Sequence, residues 1–268
     1  MQKLSNGTAT EVFGSTNAPT VVLIHGLGLC REVWQWQVPD IAKQFRVIIY
    51  DLYGHAESSA PPQNPSLTLF SKQLLAVLDA FDAPRAAIVG FSLGGMIARR
   101  FAQDHPDRVS ALAILHSPHR RTPEANRAIL KRVEQAKNEG SGATIEAALD
   151  RWFTRGYRDA NPDIMELVRR WVLANDIAIY HRNYRVLADG IDEIIAPTPA
   201  ITAPTLVITG DEDFGNGPEM TQAIAKEISG AETLILRGLR HMALAEDPNA
   251  VTLPLIAFLE NHLGTVTA

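Results

Sequence analysis

The 268-residue chain has a single cysteine, Cys30, so no intrachain disulfide can form. A reducing, cytoplasmic location is expected for such a chain. Cys30 reads as an unreactive loop thiol, because nothing beside it would depress its pKa. No apolar run approaches the roughly 20 residues that cross a bilayer. The stretch from Met1 to Glu11 has no apolar core of the signal-peptide kind, so neither a membrane span nor secretion is expected. A large excess of one sign of charge is lacking as well. With 25 Lys and Arg against 30 Asp and Glu the net charge is −5, which provides no basic footprint for nucleic acid or an anionic membrane. No glycine-rich phosphate loop or dinucleotide fingerprint occurs, and no His/Cys/Asp cluster has metal-ligand spacing. Hence no cofactor and no metal are expected. Internal repeats and low-complexity tracts are also absent. The remaining composition, 46% hydrophobic and 21% charged, is that of a globular protein able to bury a full core.

Short apolar runs recur along the chain, each followed by turn or polar residues: Val21–Ile24, Val47–Tyr50, Ala86–Val89, Ala111–Leu115, Leu206–Thr209 and Thr233–Leu236. Runs apolar on both alternating faces predict strands buried between two helix layers, and thus a mainly parallel sheet. Between them, Phe70, Leu74, Val77 and Phe81 make a helical stripe, as do Leu93, Ile97 and Phe101. Pro84 and Pro106 fall just past these helices, where proline often ends one. Strand–helix alternation of this kind predicts a doubly wound α/β fold with helices on both faces.

From residue 120 to 200 no strand-like run stands out. Thr122-Pro123-Glu124 reads as an N-cap, a first-turn proline and an acidic first turn. Gly140-Ser141-Gly142 separates two helical patterns, and Asn161-Pro162 opens a third. The expected organisation is therefore a core of residues 1–119 and 201–268, with a helical lid, 120–200, over the carboxyl edge of the sheet where α/β folds bind ligands.

The most specific feature is Gly90-Phe91-Ser92-Leu93-Gly94, placed between an apolar strand and a helical pattern. A serine between two glycines at such a turn is the nucleophile elbow: the tight bend exposes the hydroxyl, and only small flanking residues let the backbones pass. The helix that follows presents its N-terminal N–H groups to a developing oxyanion. A serine needs a base to take its proton and an acid to orient that base. In this fold the chain order is Ser, then Asp or Glu, then His. The run Leu206–Thr209 ends at Gly210-Asp211-Glu212-Asp213, which leaves three candidate acids. The run Thr233–Leu236 leads to His241, whereas the later His262 lies in a helical pattern that suits a surface position.

Val21-Val22-Leu23-Ile24-His25-Gly26, Asp51-Leu52-Tyr53-Gly54-His55, the elbow with Gly95, Gly210 to Asp213 and His241-Met242 resemble, in order, the signatures of the α/β-hydrolases. Within them the chain is most similar to the 3-oxoadipate enol-lactonase and carboxylesterase group. The stretch Arg151-Trp152-Phe153-Thr154-Arg155-Gly156-Tyr157 is similar to a lid segment of the enol-lactonases. The resemblance implies Ser92 as nucleophile, Asp213 as acid, His241 as base, and backbone N–H groups of Leu27 and Leu93 as the oxyanion hole. His25 is then a structural hydrogen-bonding group. The implied partner is a small-molecule ester or lactone, with carbon–carbon bond hydrolysis and a slow-turnover binding protein as alternatives. Two departures stand out. Tyr53, Gly54, His55 and Ala56 occupy the position of Arg-Gly-His-Gly, and Phe91 precedes the nucleophile where carbon–carbon bond hydrolases commonly have asparagine.

Several substrate-side residues remain open. His116, His119, Arg120 and Arg121 form either a carboxylate holder or a solvated hinge. Trp34 and Trp152 are candidates for the pocket wall, with core or lid packing as the other reading.

Overall fold

A strand covered on both sides must be apolar at odd and even positions alike, and each parity then feeds a different layer. The computed structural model, which describes residues 1–264, shows this division. The strands are β1 (Gln2–Lys3), β2 (Ala9–Phe13), β3 (Thr20–Ile24), β4 (Arg46–Tyr50), β5 (Ala86–Phe91), β6 (Val109–Leu115), β7 (Thr205–Gly210) and β8 (Glu232–Leu236). They form one sheet in the order β1-β2-β4-β3-β5-β6-β7-β8. From β4 to β8 neighbouring strands are parallel. Val22, Ile24, Ile48, Ile88, Leu112 and Val207 face one apolar layer. Their neighbours Val21, Leu23, Val47, Ala87, Val89 and Ile208 face the other.

The helices are α1 (Val38–Ile41), α2 (Leu67–Ala80), α3 (Leu93–Asp104), α4 (Pro123–Glu139), α5 (Gly142–Trp152), α6 (Arg155–Ala160), α7 (Pro162–Leu173), α8 (Ile177–Asp189), α9 (Pro218–Lys226), α10 (Ala243–Glu246) and α11 (Pro248–Leu263). Leu67, Phe70, Leu74 and Val77 of α2 join Met96, Ile97 and Phe101 of α3 on the first layer. Val251, Leu255 and Phe258 of α11 cover the second. The α2 stripe is capped by Ser66, whose hydroxyl accepts from Leu69 N–H, and α4 by Thr122 accepting from Ala125 N–H. All six apolar runs of the sequence lie in strands β3 to β8. The first two strands carry no such signal: β1 is exposed and β2 pairs antiparallel at the sheet edge.

Between β6 and β7 the chain forms α4 to α8 and a short 3-10 turn, with no strand. This segment is tied down where the loop after β8 passes. Met242 N–H donates to Trp152 O at 2.9 Å, and Arg240 reaches Asp150 O and Phe153 O at 2.9 and 3.0 Å. Thr154 binds Glu246 through its N–H and its hydroxyl at 2.6 and 2.8 Å.

Candidate active site

Ser92 stands between β5 and α3 with φ 55° and ψ −114°, a strained conformation held from both sides. Its N–H donates to Leu115 O at 2.8 Å. The flanking glycines are required by close approach. A Cβ on Gly90 would lie 2.2 Å from Gly94 O, and one on Gly94 would lie 2.2 Å from Ile24 O. The Ser92 side chain caps nothing on its own helix and borders a cavity with Asp213 and His241.

Asp213 comes from the loop after β7 and His241 from the loop after β8. Their separation in sequence is closed by the parallel pairing of the two strands. His241 Nδ1 lies 2.7 Å from Asp213 Oδ2. The other carboxylate oxygen accepts N–H bonds from Gly215 and Asn216 at 3.1 and 3.0 Å. Burial alone would raise the Asp213 pKa. The facing His241, together with hydrogen bonds from His116 and His241, outweighs burial and holds it well below the usual carboxylate range. Asp211 faces elsewhere: it is exposed and accepts Gly238 N–H at 2.7 Å. Ser92 and His241 are not hydrogen-bonded to each other in this structure, a contact that often tightens only around substrate.

Sequence spacing gave no sign of a second imidazole here. His116 Nδ1 sits 3.0 Å from the same Asp213 Oδ2. His116, Asp213 and His241 thus bring ligand-type atoms within 4.8 Å of one another, a grouping the sequence reading did not anticipate. Both histidine nitrogens face a single carboxylate oxygen, the geometry of two N–H···O bonds onto one acid.

The loop after β3 closes over the serine. A Cβ on Gly26 would come within 3.1 Å of Ser92 Cβ and 3.2 Å of the Phe91 ring. Leu27 lines the cavity beside it, and Leu93 opens α3, where N–H groups have no intrahelical acceptor. Two histidines fix this loop from behind. His55 Nε2 accepts Gly28 N–H at 3.1 Å, and His25 Nε2 accepts Leu52 N–H at 2.9 Å. Asp51 accepts Arg31 N–H at 2.7 Å and pairs with its guanidinium. The departure at Tyr53–Ala56 has a structural cost: Ala56 holds φ 41°, in the left-handed region where glycine is favoured.

Both loop histidines are fully buried acceptors, and burial depresses them. His25 falls to about 4, and His55 to about 3 with added repulsion from His25. The unfolded chain takes up these protons near pH 6.5, but the folded chain excludes them until pH about 4 and about 3. Stability is therefore unaffected by these groups above the unfolded pKa and declines as pH falls below it. Each histidine should contribute a loss of about 1.4 kcal/mol per pH unit in that window. Urea unfolding between pH 7 and pH 4.5 should show this slope, and His55→Gln should reduce it. Equal slopes in the two proteins would refute the assignment.

The cavity measures about 110 Å³. Arg121, Arg132, Arg151, Tyr180 and Tyr184 also line it. Arg121 donates to Leu187 O and Arg132 to the Tyr184 hydroxyl, both at 2.9 Å. Among the described residues no carboxylate forms a salt bridge with any of the three arginines. Burial pushes Arg121 down to about 10, with further repulsion from Arg132. Burial and then Arg132 likewise lower Arg151.

The other candidates are placed differently. Trp152 lines the cavity, its ring 6.0 Å from that of His241. Trp34 does not: it is fully buried beneath the site, edge-on to Phe91 at 6.5 Å, and serves as core. Arg120 is exposed and outside the cavity, whereas Arg121 lines it. His119 lies 3.0 Å from Glu227, away from the cavity. Arg132 went unrecognised in the sequence, and Arg151 enters there only as part of the lid-like stretch Arg151 to Tyr157. The available signal was an arginine set among Ile129, Val133 and Ala136 on the buried stripe of α4.

A family model described as the alpha/beta hydrolase fold matches residues 19–248. The chain belongs to the α/β-hydrolase family. It is 28% identical over 258 residues to (E)-2-((N-methylformamido)methylene)succinate hydrolase of Acinetobacter baylyi, spanning 96% of this chain and 97% of that protein. It is 25% identical over 238 residues to 3-oxoadipate enol-lactonase 2 of the same organism, across 89% and 87% of the two chains. The crystal structure of the enol-lactonase from Burkholderia xenovorans superposes with a TM-score of 0.88 at 29% identity, covering 94% of this chain and 96% of that one. These α/β-hydrolase relatives are hydrolases. Among the described residues of this chain no helix is long and apolar enough to cross a membrane.

Proposed function

We propose that this α/β-hydrolase is a serine hydrolase of a carboxylic ester or lactone that bears a carboxylate. The observation that carries the reading is the meeting of Ser92, on its strained elbow, with the Asp213–His241 pair at one cavity. His241 Nδ1–H is held by Asp213, which leaves Nε2 as the basic nitrogen for the serine proton. Ser92 Oγ attacks the substrate carbonyl as His241 takes that proton, and Asp213 stabilises the imidazolium. The oxyanion is held by the N–H groups of Leu27 and Leu93. The ester C–O bond breaks as His241 protonates the leaving oxygen, giving an acyl-enzyme on Ser92. The same imidazole then activates water, which releases the acid and restores the serine. Residues 120–200 act as a lid that supplies part of the cavity wall. No step calls for a cofactor.

The carboxylate preference rests on the three arginines that line the same cavity as Ser92 and form no salt bridge with a carboxylate of the described residues. The names of two relatives, a substituted succinate hydrolase and a 3-oxoadipate enol-lactonase, are in keeping with an acidic substrate. One charge-assisted contact of this kind is worth about 1.5–3 kcal/mol. Replacing Arg121, Arg132 or Arg151 by Met should thus lower kcat/KM for an anionic ester or lactone by roughly ten- to a hundredfold. The methyl ester of the same acid should change by less than about threefold, and exposed Arg120→Met should affect neither substrate. Equal losses for the acid and its methyl ester would remove the carboxylate from the proposal. Binding of short aryl esters with little turnover would instead indicate a binding protein built on this fold.

A further inference from the structure

His116 is the first residue past β6 and takes φ 48°, a conformation uncommon for any residue but glycine. Three contacts hold it there. Its N–H donates to Ile208 O at 2.7 Å, its carbonyl accepts from Asn216 Nδ2 at 2.9 Å, and its ring Nδ1 meets Asp213 Oδ2 at 3.0 Å. Backbone strain of this kind persists only where the surroundings over-determine it. The ring is fully buried and lies edge-on to Phe91 at 5.8 Å and to His241 at 5.7 Å.

The hydrogen bonds identify the tautomer. His116 Nε2 is buried without a partner, so a proton there would be an unsatisfied donor. The proton belongs on Nδ1, facing the carboxylate. The ionisable groups near the ring are Asp213 from the loop after β7, His241 from the loop after β8, and Glu246 of α10. Phe91 of β5 and the Thr209 hydroxyl of β7, 3.4 Å from Nδ1, complete its surroundings without charge. Burial lowers the pKa of this imidazole despite the opposing pull of Asp213.

We propose that His116 is a positioning residue, a neutral Nδ1–H donor that locks the Asp213 carboxylate toward His241 and shares the oxygen His241 binds. The inference rests on Asp213–His241 serving Ser92. An acid held by four donors, two on each oxygen, cannot swing away when the base turns over. Sharing Oδ2 also leaves less of its charge for the imidazolium at His241.

His116→Phe keeps a ring and removes the donor, whereas His116→Asn puts an amide N–H where Nδ1 stood. With a neutral aryl ester, His116→Phe should lower kcat about tenfold with KM within about twofold. The acid limb of its kcat/KM profile should move up by roughly half to one pH unit. His116→Asn should recover most of both effects, which filling the space alone would not do. In the wild-type protein, nitrogen-15 NMR should show the His116 ring neutral, with its proton on Nδ1, from the ordinary imidazole pKa of about 6.5 up to about pH 9. An Nε2–H tautomer, or titration of the ring within that range, would overturn the proposal whether or not either variant folds. So would a folded His116→Phe with unchanged kcat and pH profile. Failure of the Ser92 mechanism itself is distinguishable, since it would appear as activity retained in Ser92→Ala with the His116 tautomer unaltered.

Discussion

Ser92→Ala is expected to cut ester hydrolysis by at least about 10³-fold while leaving the fold intact. The side chain caps no helix, and the elbow is held by Ser92's backbone N–H to Leu115 O and by the glycine contacts, all of which alanine preserves. The residual rate would come from the N–H groups of Leu27 and Leu93, which the substitution leaves in place. Nucleophile and base act as one unit, so Ser92→Ala/His241→Ala should be barely slower than either single variant. Losses that add on the logarithmic scale would mean that His241 is not the base for Ser92. Near-wild-type turnover by purified Ser92→Ala would reject the mechanism outright.

Asp213→Asn should lower kcat by about 10³- to 10⁴-fold, because an amide can present its NH₂ to His241 Nδ1 and favour the wrong tautomer. The 2.7 Å contact to His241 and the 3.0 Å contact to His116 fall on one oxygen, so the amide would disturb both rings at once. Asp211→Asn changes a residue whose oxygen only accepts the Gly238 N–H on the surface, and its effect should stay within about twofold. Steady-state kinetics of the two purified proteins decides between the acids. Equal or reversed losses would transfer the role to Asp211 and leave the Asp213 geometry without a catalytic use.

The parts of this molecule that were legible in its sequence are those whose physics is local. Strands β3 to β8 were readable because burial on both faces forces unbroken apolar runs such as Val21–Ile24. The elbow was readable because two backbones approach too closely for any side chain at 90 or 94. Edge strand β1 and its neighbour β2 escaped because β1 is exposed and pairs only with Ala9 and Thr10, leaving the rest of β2, with Glu11, half-buried. The arginine wall escaped for a different reason. Arg132 and Tyr184 meet only through the packing of α4 on α8, 52 residues apart in the chain. His116 and Asp213 are 97 residues apart, joined because β6 and β7 are parallel neighbours whose ends open at one edge. In the hinge sequence His116 to Arg121, four cationic or titratable residues looked alike. Burial separates them into a fully buried ring beside Asp213, a partly buried neighbour of Glu227, an exposed side chain and a cavity arginine. Such a division depends on where each side chain points, which composition alone does not encode.

The central claim is that Ser92 is the nucleophile, and an active-site-directed fluorophosphonate tests it most directly. Intact-mass analysis followed by peptide mapping should find one phosphonyl group per chain, on Ser92, with activity lost in step with labelling. Ser92→Ala should take up none, and Asp213→Asn should label far more slowly, because the same base activates the attack. Stoichiometric labelling of a different residue, or full loss of activity with Ser92 unmodified, would contradict the account.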